Sequence, residues 1–164
     1  MTQRISTADL YREHADFIAN FVFRLGVAER DVADLVHEVF LVAHKKGFRP
    51  GAAKPRTWLC GIAVRLAANH RRRHRPVLDP RSTERAVSAT DPESRAEARA
   101  SLARVRECLD ALDEGLRAVF VMFEIEGFKA KEIAAALGIP EGTVHSRLYR
   151  ARESFRATYE AEHG

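Results

Sequence analysis

The feature that most constrains the fold is a pair of helical patterns separated by a glycine, in KEIAAALGIPEGTVHSRLYRARESF from Lys131 to Phe155. The first pattern carries apolar residues at helical spacing, namely Ile133, Ala134 and Leu137. Gly138 follows directly, and glycine is the residue that most often ends a helix, because it reaches the left-handed conformation at little steric cost. Pro140 and Glu141 then suit the first turn of a new helix. The segment therefore predicts a helix-turn-helix.

The second helix of this pair is predicted to be amphipathic. Its apolar positions recur at steps of four, three and four, which places them on one buried stripe: Val144, Leu148, Ala151 and Phe155. The polar residues on the other sides suit the major groove of DNA, with early residues near base edges and later cations near phosphates. We predict base or near-base contacts by Thr143, His145, Ser146 and Arg150, and phosphate contacts by Arg147 and Arg152. A basic helix is often only a solvated surface, and for Arg152 and Arg156 that alternative stays open.

Composition limits the classes of protein that this chain can be. Its 164 residues are 46% apolar and 30% charged, as in an ordinary globular protein of one domain or two small ones. The net charge of +4 is modest, so a nucleic-acid surface has to come from local clusters of cations. Two such clusters are present, one at 71–75 and one at 147–156.

The sequence also predicts where the chain works and the state of its thiols. No apolar run approaches the ~20 residues of a membrane span, and the N-terminus lacks the apolar core of a signal peptide. We therefore expect a cytoplasmic protein without membrane insertion. Cys60 and Cys108 lie far apart in helical patterns, which favours buried free thiols over a disulfide.

Helical periodicity dominates the whole chain, and no convincing strand pattern is found, so the predicted fold is all-α. Residues 76–92 hold three prolines and few large apolar residues, a composition typical of a linker. We predict two small helical domains, 1–76 and 93–164, joined by a flexible linker over 77–92. The second domain contains the helix-turn-helix, and Asp91 followed by Pro92 marks its start.

Three segments, in order, give the chain a resemblance to a known family. They are DLVHEVFL from Asp34, PRTWLCGIA from Pro55 and EIAAALGIPEGTVHSRLYRAR from Glu132. Together they resemble an extracytoplasmic-function sigma factor of bacterial RNA polymerase. The resemblance implies that the first domain binds the polymerase clamp and the minus-ten element, and that the second binds the polymerase flap and the minus-thirty-five element. It implies core RNA polymerase, promoter DNA and an anti-sigma factor as partners, a monomer when free, no cofactor, and no enzymatic activity of its own.

The resemblance also implies a polymerase-binding face. Asp34 and Glu38 match the positions at which the family presents acids to the clamp, and His37 stands where the family usually has glutamine. Residues 34 and 38 are one helical turn apart, so both carboxylates can meet cations across one interface.

For the minus-ten element, the resemblance implies a basic set on the third helical pattern: Arg65, Asn69, Arg71, Arg72 and Arg73. Many relatives carry asparagine and aspartate at positions 65 and 69, so this helix is more cationic than usual. The loop from Gly47 to Lys54 matches the position that captures a flipped base. Trp58 is a candidate stacking platform, although its spacing with apolar neighbours favours a place in the core.

Two other classes of function share single features with this sequence. A different helix-turn-helix regulator would join the C-terminal domain to an N-terminal sensing or dimerisation domain. A metal protein or enzyme has little support, because His37 and Glu38 begin an HExxH pattern in which Leu41 replaces the second histidine. His70 and His74 are one turn apart, but they lie among arginines that repel a divalent cation.

Overall fold

The computed structural model describes residues 5–51, 53–74 and 92–163, and these residues are helical apart from turns and short loops. The all-α prediction is confirmed. Within these ranges seven α-helices follow one another, and the fifth continues into a π-helical turn at Val121–Ile125. The helices are α1 Thr7–Arg24, α2 Glu29–Lys46, α3 Pro55–Arg73, α4 Pro92–Asp110, α5 Glu114–Phe120, α6 Ala130–Leu137 and α7 Glu141–His163.

Local sequence sets most of the helix ends. The backbone N–H of Asp9 donates to the Ser6 side chain at 3.1 Å, so Ser6 caps α1. Gly138 ends α6 in the left-handed conformation, with φ of 66°, as its residue type predicts. Pro140 differs slightly from the prediction, since it precedes α7 instead of lying in its first turn. Its carbonyl accepts the N–H groups of Thr143 and Val144, which closes that turn.

The N-terminal half, α1 to α3, packs around apolar side chains from all three helices. Leu10, Ile18 and Phe21 of α1 are buried, as are Val32, Leu35 and Val39 of α2. In α3, Leu59, Ile62 and Ala63 face the same core. Trp58 packs on Phe48, with 5.3 Å between the ring centroids. This contact favours the core position over a stacking platform for bases.

The C-terminal half, α4 to α7, is centred on α5 and α7. Val144, Leu148 and Ala151 are buried as their spacing predicts, and Phe155 stacks on Phe120 with ring centroids 4.8 Å apart. The buried stripe of α7 thus fixes which side of that helix stays exposed.

The two halves pack against each other and share a continuous apolar core. The halves approach closely between α3 and α6, where a Cβ built on Gly61 would lie 2.5 Å from the carbonyl oxygen of Ala136. Sequence reasoning predicted two domains but not this contact between them. Most of the predicted linker, together with Asp91, lies outside the described residues, and Pro92 begins α4.

Both cysteines are buried free thiols, which confirms the prediction. Burial raises the pKa of Cys60 and of Cys108, so neither thiol is activated for chemistry. Over the described ranges, none of the helices is apolar over a length sufficient to cross a bilayer.

Candidate nucleic-acid interface

The first turns of α7 form an open polar surface. His145, Ser146 and Arg150 are exposed, and Thr143 is half-buried at the edge. The Ser146 hydroxyl donates to the Thr143 carbonyl at 3.1 Å, and His145 Nε2 lies 3.8 Å from a carboxylate oxygen of Glu141. The four residues predicted to contact bases therefore lie together on one accessible side of the helix.

Tyr149 is a residue that the predicted contact set missed. It is 67% exposed and lies beside Arg150 on the same outward side of α7. Because most of this ring is exposed, it can contact a sugar or a thymine methyl group. The spacing of Tyr149 from the apolar stripe of α7 already predicts that it faces outward, and this spacing was the sequence signal that could have found it.

The two arginines predicted to contact phosphates have different surroundings. Arg152 is exposed, its Nε donates to the Glu124 carboxylate at 2.5 Å, and its guanidinium lies 5.4 Å from the centre of the Phe123 ring. Arg147 is half-buried, and a Cβ built on Gly115 would lie 3.3 Å from its Nη1. Arg147 therefore points toward α5 and away from the open side of α7.

The start of α6, the helix before α7, is held by contacts of the Glu132 carboxylate. The N–H of Lys129 donates to a Glu132 carboxylate oxygen at 2.9 Å, and the other oxygen lies 3.5 Å from Lys54 Nζ. The backbone hydrogen bond is the main reason that the pKa of Glu132 is lowered, with Lys54 adding to it. These contacts fix the position of α6, against which α7 packs.

The basic set on α3 is also placed on one side of its helix. Arg65, Asn69, Arg72 and Arg73 are exposed, whereas Arg71 is half-buried. The Nε of Arg71 is buried without a hydrogen-bond partner among the described residues. His70 Nε2 lies 3.2 Å from an Asp31 carboxylate oxygen, and the rings of His70 and His74 stack with centroids 4.4 Å apart.

A cleft of about 460 Å³ joins the predicted DNA-contact sets of the two halves. Its lining includes five arginines and one carboxylate, that of Glu114. The residues from the predicted sets that line it are Arg65, Asn69, Arg71 and Arg72 of α3 and Arg147 of α7. Arg73 and the exposed residues of α7 lie outside this lining.

The acidic side of α2 is accessible. Asp34, His37 and Glu38 are all exposed, and the neighbouring Val39 and Phe40 are buried. Leu41, one turn beyond His37, is 48% exposed and extends the same side. Sequence reasoning did not assign Leu41 to this face, although its spacing of seven residues from Asp34 is the signal of a shared helical side.

The loop predicted to capture a base borders a second cleft, of about 440 Å³, between α3 and α6. Gly51 and Lys54 line it from the loop side, and Lys131 lines it from α6. Thr57, also in the lining, is 2% exposed, and its hydroxyl has no hydrogen-bond partner among the described residues. Within those residues no group of three or more histidine, cysteine or acidic side chains is placed to hold a metal ion.

Comparison with known proteins assigns the two halves. The model for Sigma-70 region 2 matches residues 10–77, and the model for Sigma-70, region 4 matches residues 102–155. The ECF RNA polymerase sigma-E factor of Escherichia coli K12 is 33% identical over 150 residues, which cover 84% of this chain and 78% of that protein. The chain belongs to the ECF RNA polymerase sigma factors.

Further relatives agree with this assignment. The ECF RNA polymerase sigma factor SigE of Mycolicibacterium smegmatis is 34% identical over 162 residues, and the match spans 94% of this chain but 62% of SigE. The sigma factor RpoE of Bartonella quintana, solved in complex with the anti-sigma factor NepR, shares the fold. Its TM-score is 0.71 at 19% identity, over 92% of this chain and 94% of that one.

The family resemblance read from the sequence is thus confirmed. The region 2 match covers the N-terminal half, where the alternative of an unrelated regulator expected a sensing or dimerisation domain. This sigma factor therefore carries two family regions, and its function is the direction of transcription initiation.

Proposed function

We propose that this sigma factor binds core RNA polymerase through the acidic side of α2, reads the minus-thirty-five element with α7, and engages the minus-ten element with α3. The observation that supports this most directly is the accessibility of α7, whose predicted base-contact residues are exposed above a buried apolar stripe. Residues 1–76 and 93–164 are the two functional domains of the proposal, with 77–92 between them. The protein acts as a binding factor in the cytoplasm, without a cofactor and without catalysis of its own.

The proposed polymerase contact depends on Asp34, His37 and Glu38. Two exposed carboxylates one turn apart attract a cationic surface, and the exposed Leu41 beside them adds apolar area that gains from being covered. The experiment reverses both charges, Asp34→Lys with Glu38→Lys, and measures association with core polymerase. We expect association to be abolished while binding to promoter duplex is retained.

A matched control reverses two exposed acids of α1, Glu13→Lys with Asp16→Lys. The net charge changes equally, so a general effect of added lysines would appear in both double variants. Association that stays at the wild-type level in the α2 variant would remove the assignment of this face.

The proposed promoter contact on α7 is tested at Arg150. If its guanidinium contacts a base, Arg150→Ala should cost ~1–3 kcal/mol of binding and relax preference at one promoter position. Arg156→Ala is the control, because Arg156 is also exposed, lies further along α7, and is paired with Glu153 at 3.7 Å. A loss at Arg150 that is the same on every promoter sequence would assign it to the phosphates instead.

The proposed minus-ten contact is largely electrostatic. Arg65, Asn69, Arg71, Arg72 and Arg73 provide four cations on one helix, and phosphate contacts by cations make binding fall steeply with salt. Each contact removed should reduce the slope of log affinity against log salt by about 0.7 to 0.9. We expect Arg72→Ala to reduce this slope, and a slope identical to that of the wild type would exclude a phosphate contact by Arg72.

We also propose that an anti-sigma factor binds this protein, and that the free chain is a monomer. The support is the shared fold with RpoE, which was solved with the anti-sigma factor NepR. Capture of the tagged chain from cells should copurify core polymerase subunits and the inhibitor. Recovery of polymerase alone would remove the inhibitor from the proposal.

A further inference from the structure

The cleft of about 460 Å³ between α3, α5 and α7 carries a strong excess of positive charge. Among the described residues that line it are five arginines, no lysine and a single carboxylate, that of Glu114, which gives a formal charge of +4. The arginines come from both halves: Arg65, Arg71 and Arg72 from α3, Arg117 from α5 and Arg147 from α7. A cleft lined by charges of one sign focuses the field, so this one attracts anions.

Most of these arginines have no acceptor within the protein. Arg117 is the exception, because its guanidinium donates to the main-chain carbonyls of Leu25, Leu109, Asp110 and Leu112. In the part of the chain that the structure describes, none of the other four forms a hydrogen bond or an ion pair, and the Nε of Arg71 is buried without an acceptor. A buried donor without an acceptor is costly and uncommon in native proteins, so it points to a ligand that supplies the acceptor.

Two of the guanidinium groups are held close together. A Cβ built on Gly26, just after α1, would lie 3.1 Å from Arg71 Nε and 2.5 Å from Arg117 Nη1. Both cations therefore approach one point, and like charges this close repel each other until a counter-charge joins them. On the α7 side, a Cβ built on Gly115 would lie 3.3 Å from Arg147 Nη1, so this glycine leaves room for a third guanidinium.

These features suit a ligand that carries several phosphates. The planar fork of arginine matches phosphate oxygens and binds them through paired hydrogen bonds. One phosphate carries a charge of only about −1.5 to −2, which is less than the arginines of the cleft offer. The volume is that of a small-molecule site, and apolar side chains complete the lining, namely Leu25, Val64, Leu137 and Ile139.

We propose that this cleft binds a small polyphosphate, either inorganic or carried by a nucleoside. Arg71 and Arg72 donate to the phosphates from one half and Arg147 from the other. Arg117 adds mainly charge, because carbonyls already occupy most of its N–H groups. This ligand is separate from polymerase and promoter DNA, and neither is needed to detect it, so its absence would leave the proposed function untouched.

Isothermal titration calorimetry of the full chain with sodium triphosphate is the primary test. The buffer is free of divalent cations, and sodium sulfate at the same ionic strength measures nonspecific attraction of anions. We expect one triphosphate to bind per chain, at least about tenfold more tightly than sulfate. Triphosphate that binds no more tightly than sulfate would overturn the site.

Adenosine triphosphate, titrated under the same conditions, distinguishes the two sources of polyphosphate. Tighter binding than that of inorganic triphosphate would assign the site to a nucleotide, because the apolar part of the lining then contributes to affinity. Equal or weaker binding would assign it to inorganic polyphosphate.

Two substitutions, one from each half, locate the site. Arg71→Met and Arg147→Met should each weaken triphosphate binding at least about tenfold, as expected when a charge-assisted hydrogen bond is lost. Arg73→Met is the matched control, because Arg73 lies on α3, changes the net charge equally and is outside the lining. We expect its affinity to stay within about twofold of wild type. An equal loss in all three variants would indicate attraction to a basic surface and would rule out a defined site.

Circular dichroism checks that each variant keeps the helix content of the wild type. If Arg71→Met does not fold, Arg72→Met replaces it, because Arg72 lines the same cleft from α3 and its side chain is exposed. Unchanged triphosphate affinity in the folded lining variants would also overturn the proposal.

Discussion

Replacing Arg117 with methionine isolates the energetic role of a buried cation that has only carbonyl partners. Methionine has a similar length, so the cavity left behind is small and the change reports mainly on lost hydrogen bonds. The buried guanidinium donates to the carbonyl of Leu25 in the N-terminal half and to three carbonyls of its own half, those of Leu109, Asp110 and Leu112. The free energy of unfolding should therefore fall.

The size of the loss in unfolding free energy depends on whether each carbonyl still has a hydrogen-bond donor after the substitution. Leu109 keeps a partner, because its carbonyl also accepts the N–H of Leu112 at 3.1 Å. The Asp110 contact is only part-buried, so water can replace the guanidinium there. The Leu25 and Leu112 contacts are buried, and leaving each without its donor costs about 1–3 kcal/mol. We expect a loss of about 2–6 kcal/mol, toward the lower end because the variant no longer buries a charge.

The assay is urea unfolding of the full chain followed by far-UV circular dichroism. Arg152→Met is the control, because Arg152 makes an exposed ion pair with Glu124 that should be worth about 0–1 kcal/mol. An unfolding free energy for Arg117→Met within about 0.5 kcal/mol of wild type would refute the reasoning, since single surface substitutions already vary by that amount.

Three further predictions concern single titratable groups. Burial raises the pKa of Cys60 and of Cys108, so both thiols should react with a thiol reagent far more slowly in native buffer than in urea, and equal rates would contradict their burial. Glu132→Ala removes the acceptor of the Lys129 N–H and should cost about 1 kcal/mol at neutral pH. Because that hydrogen bond holds the pKa of Glu132 below 4.5, this stabilisation should be present above pH 4.5 and disappear as the pH falls through the lower, folded-state pKa; a loss independent of pH would contradict it. Burial also lowers the pKa of His14 from 6.5, so the unfolded chain binds the proton more tightly and stability should decline as the pH falls below 6.5; a His14→Gln variant with an equally steep decline would argue against this.

The helix-turn-helix and the helices of both halves could be predicted from sequence, because their determinants are local. Apolar spacing in α7 identified its buried side, and Gly138 identified the end of α6, without reference to distant residues. The same locality made the candidate DNA side of α7 predictable. Apolar periodicity predicts burial less well where few other elements pack on a helix. Leu102 and Val105 lie at the helical spacing of a buried stripe on α4, yet they are 39% and 37% exposed.

The docking of the two halves could not be predicted, because its determinants are far apart in the chain. Arg117 stands alone among apolar residues in LRAVFVMF, which was the only local signal that it is unusual. Its partners are main-chain carbonyls, and the partner in the N-terminal half, the Leu25 carbonyl, lies 92 positions away in sequence. No side-chain pattern therefore identifies it. For the same reason sequence reasoning placed Arg147 among the phosphate contacts, whereas it lies half-buried in the cleft between the halves.

The contact between Trp58 and Phe48 gives the chain a built-in optical probe. Trp58 is the single indole of the sequence, so intrinsic emission senses the melting of α1 to α3, whereas ellipticity sums the helices of the entire chain. Coincident midpoints for the two signals would mean that docking makes the whole chain one cooperative unit. Separate midpoints would reveal an intermediate in which one half is unfolded, and their order would show which half is the more stable.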